Sequence, residues 1–140
     1  MAKTTKYFLI SASRDHVLKG VEGGFVQAGH GRRDLVSKLS KGDWIVLYSA
    51  KDEYEGGKPL QKFTALGQVT DEEPYQPDAA ENFKPYRRAV AFQEATETEI
   101  RPLLEQLYFM KNTKSWGLYL ISGFRELSKA DFDVIQAAMK

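Results

Sequence analysis

The run Trp44-Ile-Val-Leu-Tyr-Ser49 constrains this chain most. Alternate residues of a strand point to opposite faces, and here both sets are largely apolar or aromatic. A strand covered on both sides belongs at the centre of a layered sheet. Ser40-Lys41-Gly42-Asp43 forms the turn that leads into it. A further strand is expected over 6–12 (KYFLISA). Over 63–70, Phe63, Ala65, Gly67 and Val69 alternate with Thr64, Leu66, Gln68 and Thr70, the period-two pattern of a half-buried strand. Residues 86–92 suit its antiparallel partner, joined by an acidic loop around Pro74 and Pro77.

Short helices fall between the strands. Ser13 is placed to cap one that reaches about Lys19, where Gly20, Gly23 and Gly24 are expected to stop it. A single helical turn fits 34–39, residues 50–60 read as a loop through Gly56, Gly57 and Pro59, and Pro102 opens a helix reaching about Tyr108. Near the end, Ser128 and Asp131 have capping-box spacing, Leu127 and Phe132 have staple spacing, and Phe132, Ile135 and Met139 form a helical stripe. Strands separated by short helices, with few parallel crossover units, predict an α/β (α+β) fold, a mixed barrel and not a doubly wound sheet.

Residues 1–140 form one unit, since no repeat or linker divides them. A chain of this size buries roughly two-thirds of its unfolded surface and needs no staple. It has no cysteine, which excludes disulfides, thiolate nucleophiles and Cys-based metal sites and suits the cytoplasm. The apolar run at 7–12 is too short for a signal peptide and reads as a strand, and no stretch nears the ~20 apolar residues of a membrane span. Net charge is +1, yet charge is segregated: Arg32, Arg33, Lys38 and Lys41 cluster, as do Lys84, Arg87 and Arg88, while 71–81 is acidic. This is either a basic face for phosphates or a solvated surface on which the signs mix.

Chemistry has few candidates. The glycine-rich stretch 20–31 has His30-Gly31 where a phosphate loop requires Lys and Ser or Thr, and it lacks the third glycine of a dinucleotide fingerprint. No cofactor is expected. The two histidines, His16 and His30, are far apart and have no paired ligand at helical spacing, so no metal is expected either. His30, Ser49 and Asp43 assemble a hydrolase triad on paper, without the strand-turn-helix nucleophile motif such enzymes use.

The segments SASRDHV, GVEGGFVQAGHGRRDLVSKLSKGDWIVLYSA and KSWGLYLISGFRELSKADFDVI resemble, in order and spacing, the EVE-domain family of small bacterial and archaeal proteins. The likeness spans nearly the whole chain and departs at Ala50, where proline is common, and at Leu47, where an aromatic is frequent. It implies a single PUA-like domain related to YTH domains, with a pocket at the mouth of the barrel that takes a flipped or single-stranded modified base, such as methylated cytosine or adenine, from DNA or RNA. By motif position, Ser13, Phe25, Gln27, His30, Tyr48, Ser49 and Trp116 are the implied pocket residues, with Arg32 nearby for phosphate.

Physical chemistry fits these roles. A base needs aromatic walls for its faces and hydrogen-bonding groups for its edge. Phe25, Tyr48 and Trp116 supply rings, and Gln27 carries an acceptor and a paired donor. One slot rimmed by all three rings is therefore expected. Tyr48 and Phe25 suit a core position equally, and His30 suits a loop cap. Two other readings stay open, a receptor for a free nucleobase-like molecule and a hydrolase using His30; the first reading is a binding module without catalysis.

Overall fold

The structure, a computed structural model, describes residues 4–28, 31–76, 85–110, 114, 116–120 and 123–140. Among them the elements run β1 (Tyr7–Ser11), α1 (Arg14–Gly23), β2 (Phe25–Val26), α2 (Arg33–Val36), β3 (Trp44–Lys51), β4 (Pro59–Val69), β5 (Arg88–Phe92), β6 (Thr98–Glu99), β7 (Phe124–Leu127) and α3 (Lys129–Ala138). Two 3₁₀ turns, Arg101–Gln106 and Trp116–Leu120, lie between β6 and β7.

The strands form one mixed sheet in the order β2-β5-β4-β3-β1-β7, with β6 added beside β4. It curls into a half-barrel with short helices against it. β3 lies inside the sheet, parallel to β1 and antiparallel to β4, and Ile45 through Ser49 are all buried. Its alternation splits the core in two. Val46 and Tyr48 join Leu9, Phe63, Leu104, Phe132 and Ile135 on the α3 side. Ile45 and Leu47 join Phe8, Ile10, Val17, Val26 and Val36 on the α1 side. Each such side chain contributes about 1.5 to 3 kcal/mol on burial, so both faces hold the sheet.

Two local expectations need correction. α1 does not stop at Lys19; it runs through Gly20 to Gly23 and ends at Gly24, whose φ of 70° gives the left-handed cap. Gly20 serves packing, because a Cβ there would meet the Phe25 carbonyl oxygen at 2.5 Å. At the other end, Ser13 has an N-cap backbone but its hydroxyl donates to Asp15 Oδ1 at 2.6 Å, and Asp15 accepts from His16 N. In α3, Ser128 Oγ does accept from Asp131 N, while the Asp131 carboxylate turns away to Tyr108 N and Phe109 N at 2.7 and 3.1 Å.

β4 is irregular where it passes the end of β3. Leu47 pairs with Ala65 but Tyr48 pairs with Phe63, leaving Thr64 as an extra residue. A second irregularity contains Gln61, whose φ of 58° is the only positive value at a non-glycine residue among those described. Bulges increase local twist and re-aim side chains. Here both irregularities lie at the C-terminal end of β3, beside Tyr48 and Lys51.

Candidate functional site

At that end, β1, the start of α1, β2 and β3 surround a cavity of about 520 Å³. Ser13, Phe25 and Gln27 all line it. Their neighbours define its chemistry. The Arg87 guanidinium lies over the Phe25 ring, 3.7 Å from its centroid, and Arg87 Nε donates to Gln27 Oε1 at 2.5 Å. A flat cation, a ring and an amide are thus held together in one wall. α1 and the loop after β3 add His16 and Tyr54, whose rings stack with centroids 5.1 Å apart. Lys51 and Lys19 also line the cavity, and Lys51 Nζ donates to Tyr54 O at 2.6 Å.

Asp15 anchors this region. Partial burial pushes its carboxyl up, but hydrogen bonds from Ser13 Oγ, Tyr54 N and His16 N outweigh that and hold it below the ordinary carboxylate value. It is therefore ionised at neutral pH and ties the start of α1 to the Tyr54 loop.

The remaining expected residues lie elsewhere. Tyr48 is 2% exposed and belongs to the opposite face of the sheet. Its ring meets Trp116 edge-on, with centroids 6.5 Å apart. These two line a smaller cavity of about 290 Å³. The three rings therefore do not share one slot: Phe25 is on one side, Tyr48 and Trp116 on the other, and the cavities meet at Ser11 and Ala50. Alternation is the cause, since Leu47 lines the larger cavity and its neighbour Tyr48 the smaller. Burial pushes the Tyr48 phenol up to about 12, with Arg101 acting in the opposite direction, so it stays neutral.

Ser49 is fully buried and shares a hydrogen bond with Thr64 Oγ1 at 2.9 Å. Arg32 is exposed, pairs with Asp34 and lines neither cavity. His30 and Lys84 lie outside the described residues. The basic run also divides: Arg87 faces the larger cavity, whereas Arg88 is 1% exposed and binds Asp71 and the carbonyls of Val36 and Leu39. Sequence reasoning missed Arg87, His16, Tyr54 and Lys51 as site residues. Adjacent arginines at a strand start were the available signal, because alternation sends one outward and one inward.

An EVE domain family model matches residues 6–138. The chain belongs to the EVE domain family. A UPF0310 protein of Mycolicibacterium vanbaalenii is 49% identical over 129 residues, covering 92% of this chain and 89% of that one. A UPF0310 protein of Bacillus licheniformis is 44% identical over 127 residues, covering 91% and 86%. Among solved structures, Rpa0253 of Rhodopseudomonas palustris matches with a TM-score of 0.58 over 96% of this chain and 93% of that one; at 12% identity the likeness is one of fold.

The paper triad does not assemble in this EVE domain. Asp43 and Ser49 stand at opposite ends of β3, on the order of 20 Å apart at strand rise. Asp43 is fully buried and accepts from Lys6 N and Ser40 N, so both groups serve the fold. Among the described residues no group of His, Cys, Asp and Glu side chains could hold a metal ion, and no helix is long and apolar enough to cross a membrane.

Proposed function

We propose that this EVE domain is a non-catalytic binding module that takes a planar, nucleobase-like ring into the larger cavity, the ring being a modified base of DNA or RNA. One observation carries the reading: the Arg87 guanidinium is stacked on Phe25 and bonded to Gln27. That wall offers a flat cationic surface for the ring face and an amide beside it for the polar edge. Base stacking on such groups is worth about 1 to 3 kcal/mol. The cavity volume falls within the range of roughly 300 to 1,000 Å³ usual for small-molecule sites.

Affinity and discrimination come from different sources. Lys19 and Lys51 supply positive charge beside the cavity, which suits flanking phosphates. A methyl mark adds only about 0.8 kcal/mol on burial, or roughly fourfold, so preference for the mark requires close fit. Ser13 and Gln27 are the groups assigned to the base edge, and Phe25 with Arg87 to its face. Tyr48 and Trp116 are assigned to the neighbouring cavity, and Ser49 to the sheet.

Titration at several salt concentrations tests this. Single-stranded oligonucleotides with one 5-methylcytosine or N6-methyladenine are compared with the same sequences unmodified and with the free modified nucleotide. Tighter, salt-dependent binding of the modified oligonucleotide is expected. Equal affinity for free nucleotide and oligonucleotide would make the domain a small-molecule receptor instead.

A further inference from the structure

The smaller cavity lies on the far side of the strand ends from the larger one. Tyr48, Gln61, Trp116, Gly117 and Leu120 line it, and Ser11 and Ala50 are common to both. We infer that it is a second base subsite, which receives the nucleotide next to the one held in the larger cavity, so that a single strand crosses the ends of β1 and β3 with a base on each face of the sheet. The inference rests on the reading of the larger cavity as a base pocket.

Four observations carry it. Trp116 is only half-buried, a ring at a cavity wall. Arg101 lies over that ring, 5.4 Å from its centroid, and is steered there by a hydrogen bond from its Nε to Gln61 Oε1 at 2.9 Å. Indole and guanidinium side by side suit a base and its phosphate. Gln61 itself holds a backbone conformation unfavourable for a side-chain-bearing residue, and such strain clusters where ligands are held. Finally, Ser11 Oγ is buried with no hydrogen-bond partner among the described residues, at the wall that the two cavities share. A buried hydroxyl without a partner is costly, and a bound polar group would satisfy it.

The occupant follows from charge and from the cost of extrusion. Arg87 and Lys51 stand at one cavity and Arg101 beside the other, a cationic path that matches a phosphate backbone. Taking one base out of a stack leaves its neighbour without a stacking partner. Trp116 provides a replacement.

The chain has two tryptophans, so Trp44→Phe leaves Trp116 as the only indole reporter. The probes are single-stranded trimers with a central 5-methylcytosine, flanked by thymines or by abasic sites, repeated with central N6-methyladenine. The thymine-flanked trimer is expected to quench Trp116 emission and to bind about tenfold more tightly than the abasic one, within the range of one base–aromatic stack. Trp116→Ala should erase that difference and leave the abasic trimer within about twofold of its original affinity, while Trp116→Phe should restore most of it. Equal binding of the two trimers to the unaltered protein overturns the second subsite but leaves the first. Equal weakening of both trimers by Trp116→Ala also overturns it. Binding of neither trimer removes the reading of the larger cavity, and the second subsite with it.

Discussion

Replacing Arg87 and Arg88 separately by alanine should split function from stability between two adjacent residues. Arg88 Nε donates to Asp71 Oδ1 at 2.7 Å and its other nitrogens reach the carbonyls of Asp71, Val36 and Leu39. Truncation leaves the Asp71 carboxylate with Ala89 N but without its countercharge, and it removes the Arg88 donor from the Asp71 and Leu39 carbonyls, while the Val36 carbonyl keeps Leu39 N. Breaking a buried ion pair costs about 3 to 5 kcal/mol. Asp71 is 24% exposed and water partly compensates it, so the low end applies to the pair, while the orphaned carbonyls add to it. A loss of about 3 to 4 kcal/mol lowers Tm by roughly 10 to 15 °C in a chain of this size. Arg87 is only half-buried, and its contacts with Phe25 and Gln27 are worth about 1 to 2 kcal/mol together. Arg87→Ala should therefore melt within roughly 6 °C of the unaltered protein. It should nonetheless bind a methylated oligonucleotide at least about tenfold more weakly, because stacking surface and charge are both lost. Calorimetry and fluorescence titration measure the two effects. If Arg88→Ala melts within 3 °C of the parent, roughly the shift of a single kilocalorie, the ion-pair argument is wrong; if Arg87→Ala binds normally, the assignment of the cavity wall is wrong.

Other perturbations test other parts. Gly20→Ala would ordinarily favour a helix by about 0.5 to 1 kcal/mol, but its Cβ would press on the Phe25 carbonyl; we expect a lower Tm and weaker binding, and a raised Tm would contradict the packing. The Asp15 carboxyl is held below its unfolded value, so its charge stabilises the fold above about pH 4 and that contribution fades as pH falls further. The urea midpoints of the parent and Asp15→Asn should therefore differ most at pH 7 and draw together as pH falls below about 4, and a constant gap would refute the role. Because Arg32 is paired with Asp34 away from both cavities, Arg32→Ala should leave the salt dependence of oligonucleotide binding unchanged, whereas Arg87→Ala should reduce its slope by about one.

Most strands were legible because burial on one or two faces writes a period-two pattern, as in 63–70 and 44–49. The cap of α3 was legible because Ser128 acts on Asp131, three residues away. Features that depend on distant partners were not. Gly20 and Gly23 look like breakers until Phe25 is seen packed on them. The separation of Phe25 from Tyr48 depends on the register of β3, and a one-residue shift would turn Tyr48 to the Phe25 side. Arg88 looked like surface charge because its partners, Asp71, Val36 and Leu39, are remote in sequence.

The pairing of β1 with both β3 and β7 has a kinetic consequence. Tyr7 lies opposite Trp44 on one side and Leu127 on the other, so one flank of β1 waits for a segment about 120 residues further along the chain. Until then β1 presents an open hydrogen-bonding edge, the condition that invites pairing with another nascent chain. Loop-closure entropy makes such long-range joining slow, so acquisition of β7 should be a late event in refolding.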